Sequence, residues 1–137
     1  MPRATLIESS DEHHWVLLDH RVTQLVIDMR SLRLQTWSLD ASAEIRLSVP
    51  FTLRLPSGAE RPMDPERTET LAPALAVLRR YVQSVTATRH GELTVELGEG
   101  YALVVRPGVR ADAWEISGGG ALEGMSYRAR PGRAPWE

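Results

Sequence analysis

The chain contains no cysteine, which excludes disulfides, thiolate zinc ligands and a cysteine nucleophile together. It also lacks lysine and asparagine, so its 16 basic side chains are all arginines; they face 18 acidic ones, for a formal net charge of -2. A dedicated nucleic-acid binder draws its affinity from surplus positive charge meeting phosphates. That surplus is missing, and no nucleic-acid partner is expected. No apolar run reaches about 18 residues and no basic-then-apolar leader opens the chain, so no membrane segment is expected and a soluble, cytoplasmic protein is the default reading. With a single phenylalanine, bulky packing falls to four tryptophans and three tyrosines.

What is present is alternation. In residues 81–106, Val82, Val85 and Ala87 are followed by a break at Arg89, His90 and Gly91. Leu93, Val95 and Leu97 come next, then Gly98-Glu99-Gly100, then Tyr101, Leu103 and Val105. Side chains alternate across a strand, so three period-two runs separated by glycine turns predict an antiparallel meander with one apolar face. Residues 21–55 repeat the plan. Val22, Leu25 and Ile27 precede Leu32 and Leu34, and Ile45, Leu47 and Val49 follow a longer second turn over residues 38–43. The first strands of the two segments align at a separation of 60 residues, which suggests an internal duplication.

Residues 56–68 read as a linker rich in proline, glycine and charge. Residues 70–80 change period: Leu71, Leu75 and Leu78 recur every three to four positions, predicting one amphipathic α-helix with Pro73 in its first turn, Thr70 as a cap, and Arg79 and Arg80 at the C-terminal end. Phe51 to Leu55 keeps period two after Pro50 and offers an edge strand through which copies could pair. Residues 1–10 predict a loose arm or a short edge strand. Residues 113–117 predict a short strand, 118–120 a glycine turn, and 122–130 a last strand. The expectation is one domain over residues 1–137 of the α+β class, mainly antiparallel β. It comprises two related three-stranded meanders joined by one amphipathic helix, compatible with a single curved sheet, a sandwich or an open barrel.

Signatures of chemistry are sparse. Adjacent His13 and His14 face opposite ways if extended and cannot share a metal; His20 and His90 have no ligand spacing around them, so no metal is expected. Ser117 before three glycines lacks the strand-to-helix context of a nucleophile elbow, and the glycine run lacks the lysine and hydroxyl of a phosphate loop. No cofactor is expected. Asp112 and Glu115 could do acid and base work only if both reached one cleft, whereas a separation of three in an extended segment turns them apart.

Asp112-Ala113-Trp114-Glu115-Ile116-Ser117-Gly118, the paired meanders and a terminal Pro131-Gly132 followed by Trp136 together resemble a family of small actinobacterial proteins known only as a domain of unknown function. That family carries a Glu-Ala-Trp-Glu-like motif after the second meander and a Pro-Gly-Gly segment before a late tryptophan. This chain has Asp112 where glutamate is usual and Arg133 where a second glycine is usual. The resemblance spans about residues 19–136 and implies no chemistry; it carries the association of an immunity-type or accessory protein.

The functional expectation is a non-enzymatic module that binds another protein, with tryptophan and arginine as the anchor types. Candidate binding residues are Asp112, Trp114, Glu115, Arg106 and Trp136. Trp15, Trp37, Trp114 and Trp136 each fill core or stand as anchors, and Trp136 either staples the tail or forms a contact surface beside Arg128, Arg130 and Arg133. Two alternatives stand beside this. One is a small-ligand binder or hydrolase with a pocket where Asp112 or Glu115 converges with an arginine such as Arg106; the other is a self-associating domain, a homodimer through Phe51 to Leu55.

Overall fold

A computed structural model describes residues 4–8, 12–17, 20–38, 41–106, 113–120, 122, 124–130 and 134–136. Within them the chain is mostly antiparallel β. The strands are β1 (Ala4–Glu8), β2 (Glu12–Leu17), β3 (Arg21–Ile27), β4 (Leu32–Ser38), β5 (Ala41–Leu47), β6 (Phe51–Arg54), β7 (Glu60–Met63), β8 (Val82–Thr88), β9 (Leu93–Leu97), β10 (Ala102–Val105), β11 (Trp114–Gly120) and β12 (Ser126–Arg128). They form two sheets: seven strands in the order β1-β2-β8-β9-β10-β6-β7, and five in the order β12-β11-β5-β4-β3.

Both expected meanders are present, β3-β4-β5 in the smaller sheet and β8-β9-β10 in the larger. Alternation explains why each strand holds its face. In β4, Leu32, Leu34 and Thr36 are buried while Arg33 and Gln35 are half-buried and Trp37 is exposed; β5 alternates in the same way. The inward sets of both sheets, including Leu32, Leu34, Ile45, Leu47, Leu53, Val85, Leu93, Val95 and Leu103, form one continuous core.

The two first strands share a backbone feature. Each register slips by one residue, between Val22 and Gln24 in β3 and between Val82 and Ser84 in β8, which is the signature of a β-bulge. The two segments also touch. The Val22 amide donates to the Arg80 carbonyl at 2.9 Å, and the Val82 amide donates to the His20 carbonyl at 2.9 Å. Arg21 lies opposite Tyr81 in an antiparallel bridge, and these two residues are 60 apart in sequence. A shift of 60 residues exchanges the two hydrogen bonds, so the contact has local twofold character.

Four expectations change. The helix is a 3₁₀ helix over Thr68–Val77, not an α-helix over 70–80. Its buried residues are Leu71, Ala74 and Val77, a spacing of three that suits three residues per turn, and Leu75 is left 62% exposed. Thr70 does not cap it in the usual way; its hydroxyl accepts from the Asp64 amide at 2.8 Å and donates to the Arg67 carbonyl at 2.7 Å. At the far end, Arg80 Nε donates to the Ala76 carbonyl at 3.0 Å, satisfying an end carbonyl of the helix.

The segment read as a linker contains β7, which pairs with β6 from Phe51↔Met63 to Arg54↔Glu60. β6 therefore has β10 on one side and β7 on the other and offers no edge for a second copy. β7 is the true edge, blunted by Glu60, Arg61 and Pro62. The glycine run is not a turn: Gly118, Gly119 and Gly120 continue β11 and pair with Ala43, Ser42 and Ala41. Finally, β4 and β5 pair through to Ser38↔Ala41, so the longer second turn expected over residues 38–43 is taken up by strand.

A candidate interaction surface

Register places one row of residues across the strands. Tyr81 lies opposite Arg21, Arg21 opposite Trp37, Trp37 opposite Ser42, and Ser42 opposite Gly119. Directly paired residues project from the same face of a sheet. Thr36 and Val22, the next pair along, are buried, so the row faces outward. Trp37 is 55% exposed and Tyr81 48% exposed. The Arg21 guanidinium lies over the Tyr81 ring, 4.4 Å from its centroid, and also hydrogen-bonds the Tyr81 hydroxyl.

Beyond Trp37 the small residues Ser42, Ser117, Gly118 and Gly119 leave a depression of about 260 Å³. Next to it runs a charged groove of about 300 Å³, where Asp28, Arg33, Glu44, Arg46 and Glu115 meet. Arg46 pairs with Glu115 at 3.3 Å and Arg33 with Glu44 at 3.7 Å, while Gln35 Nε2 donates to Glu44 at 3.2 Å. The Nε atoms of Arg33 and Arg46 are shielded from solvent and have no hydrogen-bond partner. Glu44 and Glu115 are each engaged by a guanidinium, so these pairs form a cross-strand charge ladder that orients donors.

Asp28 anchors the groove at the β3–β4 turn. It accepts from the Arg30 amide at 2.8 Å, the Ser31 amide at 2.9 Å and the Ser31 hydroxyl at 2.8 Å. The Arg30 amide, then the Ser31 hydroxyl, hold its carboxyl below the ordinary aspartate range. A lowered folded-state value stabilises the fold above the ordinary aspartate pKa, and that contribution disappears as pH falls through the lowered value. Wild type should therefore melt above Asp28→Asn at neutral pH, with the gap closing below about pH 4. A gap in Tm that does not change with pH in thermal melts would refute this.

The expected site residues are dispersed. Trp114 is not a surface residue: it is fully buried, because β11 alternation sends Trp114 and Ile116 into the core and Glu115 outward, and its Nε1 donates to the Gly91 carbonyl at 2.8 Å. Glu115 does converge with an arginine in a concavity, but that arginine is Arg46. Arg106 is exposed just past the end of β10 and makes no ion pair with Glu115. Asp112 lies outside the described residues. Trp136 is half-buried against the core and stacks on His13 of β2, with ring centroids 3.8 Å apart and planes 3° from parallel. It thus lies across the larger sheet instead of standing free.

His20 is buried as well, its Nδ1 3.0 Å from the Thr36 hydroxyl. Among the described residues, no three or more histidine, aspartate or glutamate side chains group as metal ligands, and no helix is long and apolar enough to cross a membrane. Tyr81 and Arg21 lie outside the expected site residues, and Trp37 is one of the four tryptophans expected either to fill core or to stand as anchors. The parity of β4 was the available signal for Trp37, since Leu32, Leu34 and Thr36 claim the inward face.

The molecule is a two-sheet antiparallel β protein whose smaller sheet presents an aromatic and arginine row. Residues 14–126 match a family of unknown function, DUF6188, and the chain belongs to that family. No curated protein and no solved structure matches it.

Proposed function

We propose that the protein is a non-enzymatic protein-binding module, of an immunity or accessory type, and that the Tyr81–Arg21–Trp37 row is its contact surface. The observation that carries this reading is the row itself: three side chains of the types that dominate interface hot spots, exposed and side by side, Arg21 and Trp37 on paired strands and Tyr81 bridged to Arg21 just before β8. Strands hold these side chains in register before any partner arrives. Tryptophan and tyrosine have only two rotatable side-chain bonds each, so little freedom is lost on binding. The Ser42–Gly119 depression gives a partner side chain room beside the indole, and the Arg33, Glu44, Arg46 and Glu115 ladder supplies a polar rim.

The test is affinity capture from the native host with wild type, Trp37→Ala and, as a control, Arg54→Ala. Wild type and the control should retain a stoichiometric protein partner. Trp37→Ala should weaken that binding by about 30-fold, corresponding to a hot-spot loss of about 2 kcal/mol. Equal binding by Trp37→Ala, or no stoichiometric partner for wild type, would overturn the proposal.

A further inference from the structure

Seven of the described residues adopt a left-handed backbone. Five are glycines (Gly58, Gly91, Gly100, Gly120 and Gly124) and two are not: Arg79 at φ 74° and Glu99 at φ 64°. Both of the latter line a single cleft of about 460 Å³ where the two meanders meet, together with Arg21, Arg80 and Tyr81.

Arg79 occupies the third position of a tight turn. Leu78 has φ −61° and ψ 134°, Arg79 follows with positive φ, and the Arg80 amide donates to the Val77 carbonyl at 3.1 Å. This is a type II turn, whose third position favours glycine because a Cβ is strained there. Glu99 sits likewise between two glycines that could each take its conformation without strain. The chain thus keeps two long charged side chains where glycine would be easier, and it keeps both on the same cleft.

Two of the guanidiniums are oriented. Arg80 lies over the Tyr101 ring, 4.6 Å from its centroid, and pairs with Glu99. Arg21 is fixed over Tyr81. Arg79 is exposed and makes no side-chain hydrogen bond or ion pair among the described residues. Three guanidiniums face one carboxylate, a local positive excess in a chain whose formal net charge is -2. Planar guanidiniums held on aromatic faces present paired N–H groups that match the oxygens of a tetrahedral anion.

We infer that this cleft is a binding site for a compact, multiply charged oxyanion of the phosphate class, with Arg79 and Arg21 as its direct donors and Arg80, tied to Glu99, fixing the wall. The cleft shares Arg21 and Tyr81 with the aromatic row, whereas Arg79 lies outside it, so titration of Arg79 variants with small anions tests the cleft without any protein partner.

The experiment is calorimetric titration of the full chain at low ionic strength with inorganic pyrophosphate and, separately, phenyl phosphate. Saturable binding at one site is expected. A preference for pyrophosphate would identify a free oxyanion as the ligand, and a preference for phenyl phosphate an esterified one. Arg79→Gln should weaken binding by about 10-fold or more, the loss expected for a charged hydrogen bond, while Arg54→Gln should leave it unchanged.

Arg79→Gly separates strain from function. It should lose the same affinity yet raise Tm by about 2–4 °C as the turn relaxes. No saturable binding of either probe by wild type would overturn the inference. So would wild-type affinity in Arg79→Gln, or an equal loss in Arg54→Gln.

Discussion

Replacing Trp114 with alanine is expected to cost about 3–5 kcal/mol of stability, the range for removing a large aromatic from a packed core. The indole is fully buried and belongs to the core shared by both sheets. It lies in β11 of the smaller sheet, and its Nε1 donates at 2.8 Å to the carbonyl of Gly91, in the β8–β9 turn of the larger. Truncation therefore opens a cavity and removes a polar tie between the two sheets, which also meet in backbone pairing around Arg21 and Tyr81. Trp114→Phe separates the two effects, since it keeps a ring in place but leaves the Gly91 carbonyl without its donor, for about 1–3 kcal/mol. Domains of ordinary stability hold about 5–15 kcal/mol in all, so the alanine variant should lose a large fraction of its folded margin. Urea unfolding of the three proteins measures this. Near-identical midpoints for wild type and Trp114→Ala would show that the core does not depend on the indole.

The second large effect is expected at Gly118, where alanine should cost about 3 kcal/mol, at the upper end for overpacking. A Cβ at Gly118 would lie 2.2 Å from the backbone carbonyl oxygen of Leu122 and 2.8 Å from the Leu122 Cβ. The Gly118 amide is bonded to the Met125 carbonyl at 2.9 Å, so the β11–β12 hairpin cannot yield without breaking that bond. Gly119, one residue on, is the control. Its Cβ would meet only the Ser42 hydroxyl oxygen at 2.6 Å, and that hydroxyl can rotate away. Gly119→Ala should therefore cost less than about 1 kcal/mol. Thermal melts should put Gly118→Ala well below Gly119→Ala, and the reverse order would be inconsistent with this geometry. The comparison also explains why the run belongs in a strand: at Gly118 it is close approach, more than turn geometry, that calls for the missing side chain.

Period decides which side chains share a face, and that much could be read from the residues. Leu32 and Leu34, Ile45 and Leu47, Leu93, Val95 and Leu97 all fall on the buried side their spacing implies, and both meanders lie where the alternation put them. The bulges and exchanged hydrogen bonds recur at a shift of 60 residues, the separation at which the two segments align in sequence. What alternation leaves open is every contact between segments distant in the chain. The insertion of β8 between β2 and β9, the joining of β6 to β10 and the addition of β11 to β5 all depend on the sum of many remote pairings.

The functional candidates divide along the same line. Trp114 is enclosed because β11 docks on β5, and Trp37 is left in solvent because nothing among the described residues covers the outer face at its end of β4. The sequence by itself determined the strands of the two meanders, their inward residues and the exclusion of thiol chemistry. Only the tertiary structure decided that Arg79, Glu99 and Arg21 share a cleft and that Tyr81 joins Arg21 and Trp37 in a row, because the meeting of segments 60 residues apart, which no local pattern encodes, sets which outward side chains become neighbours.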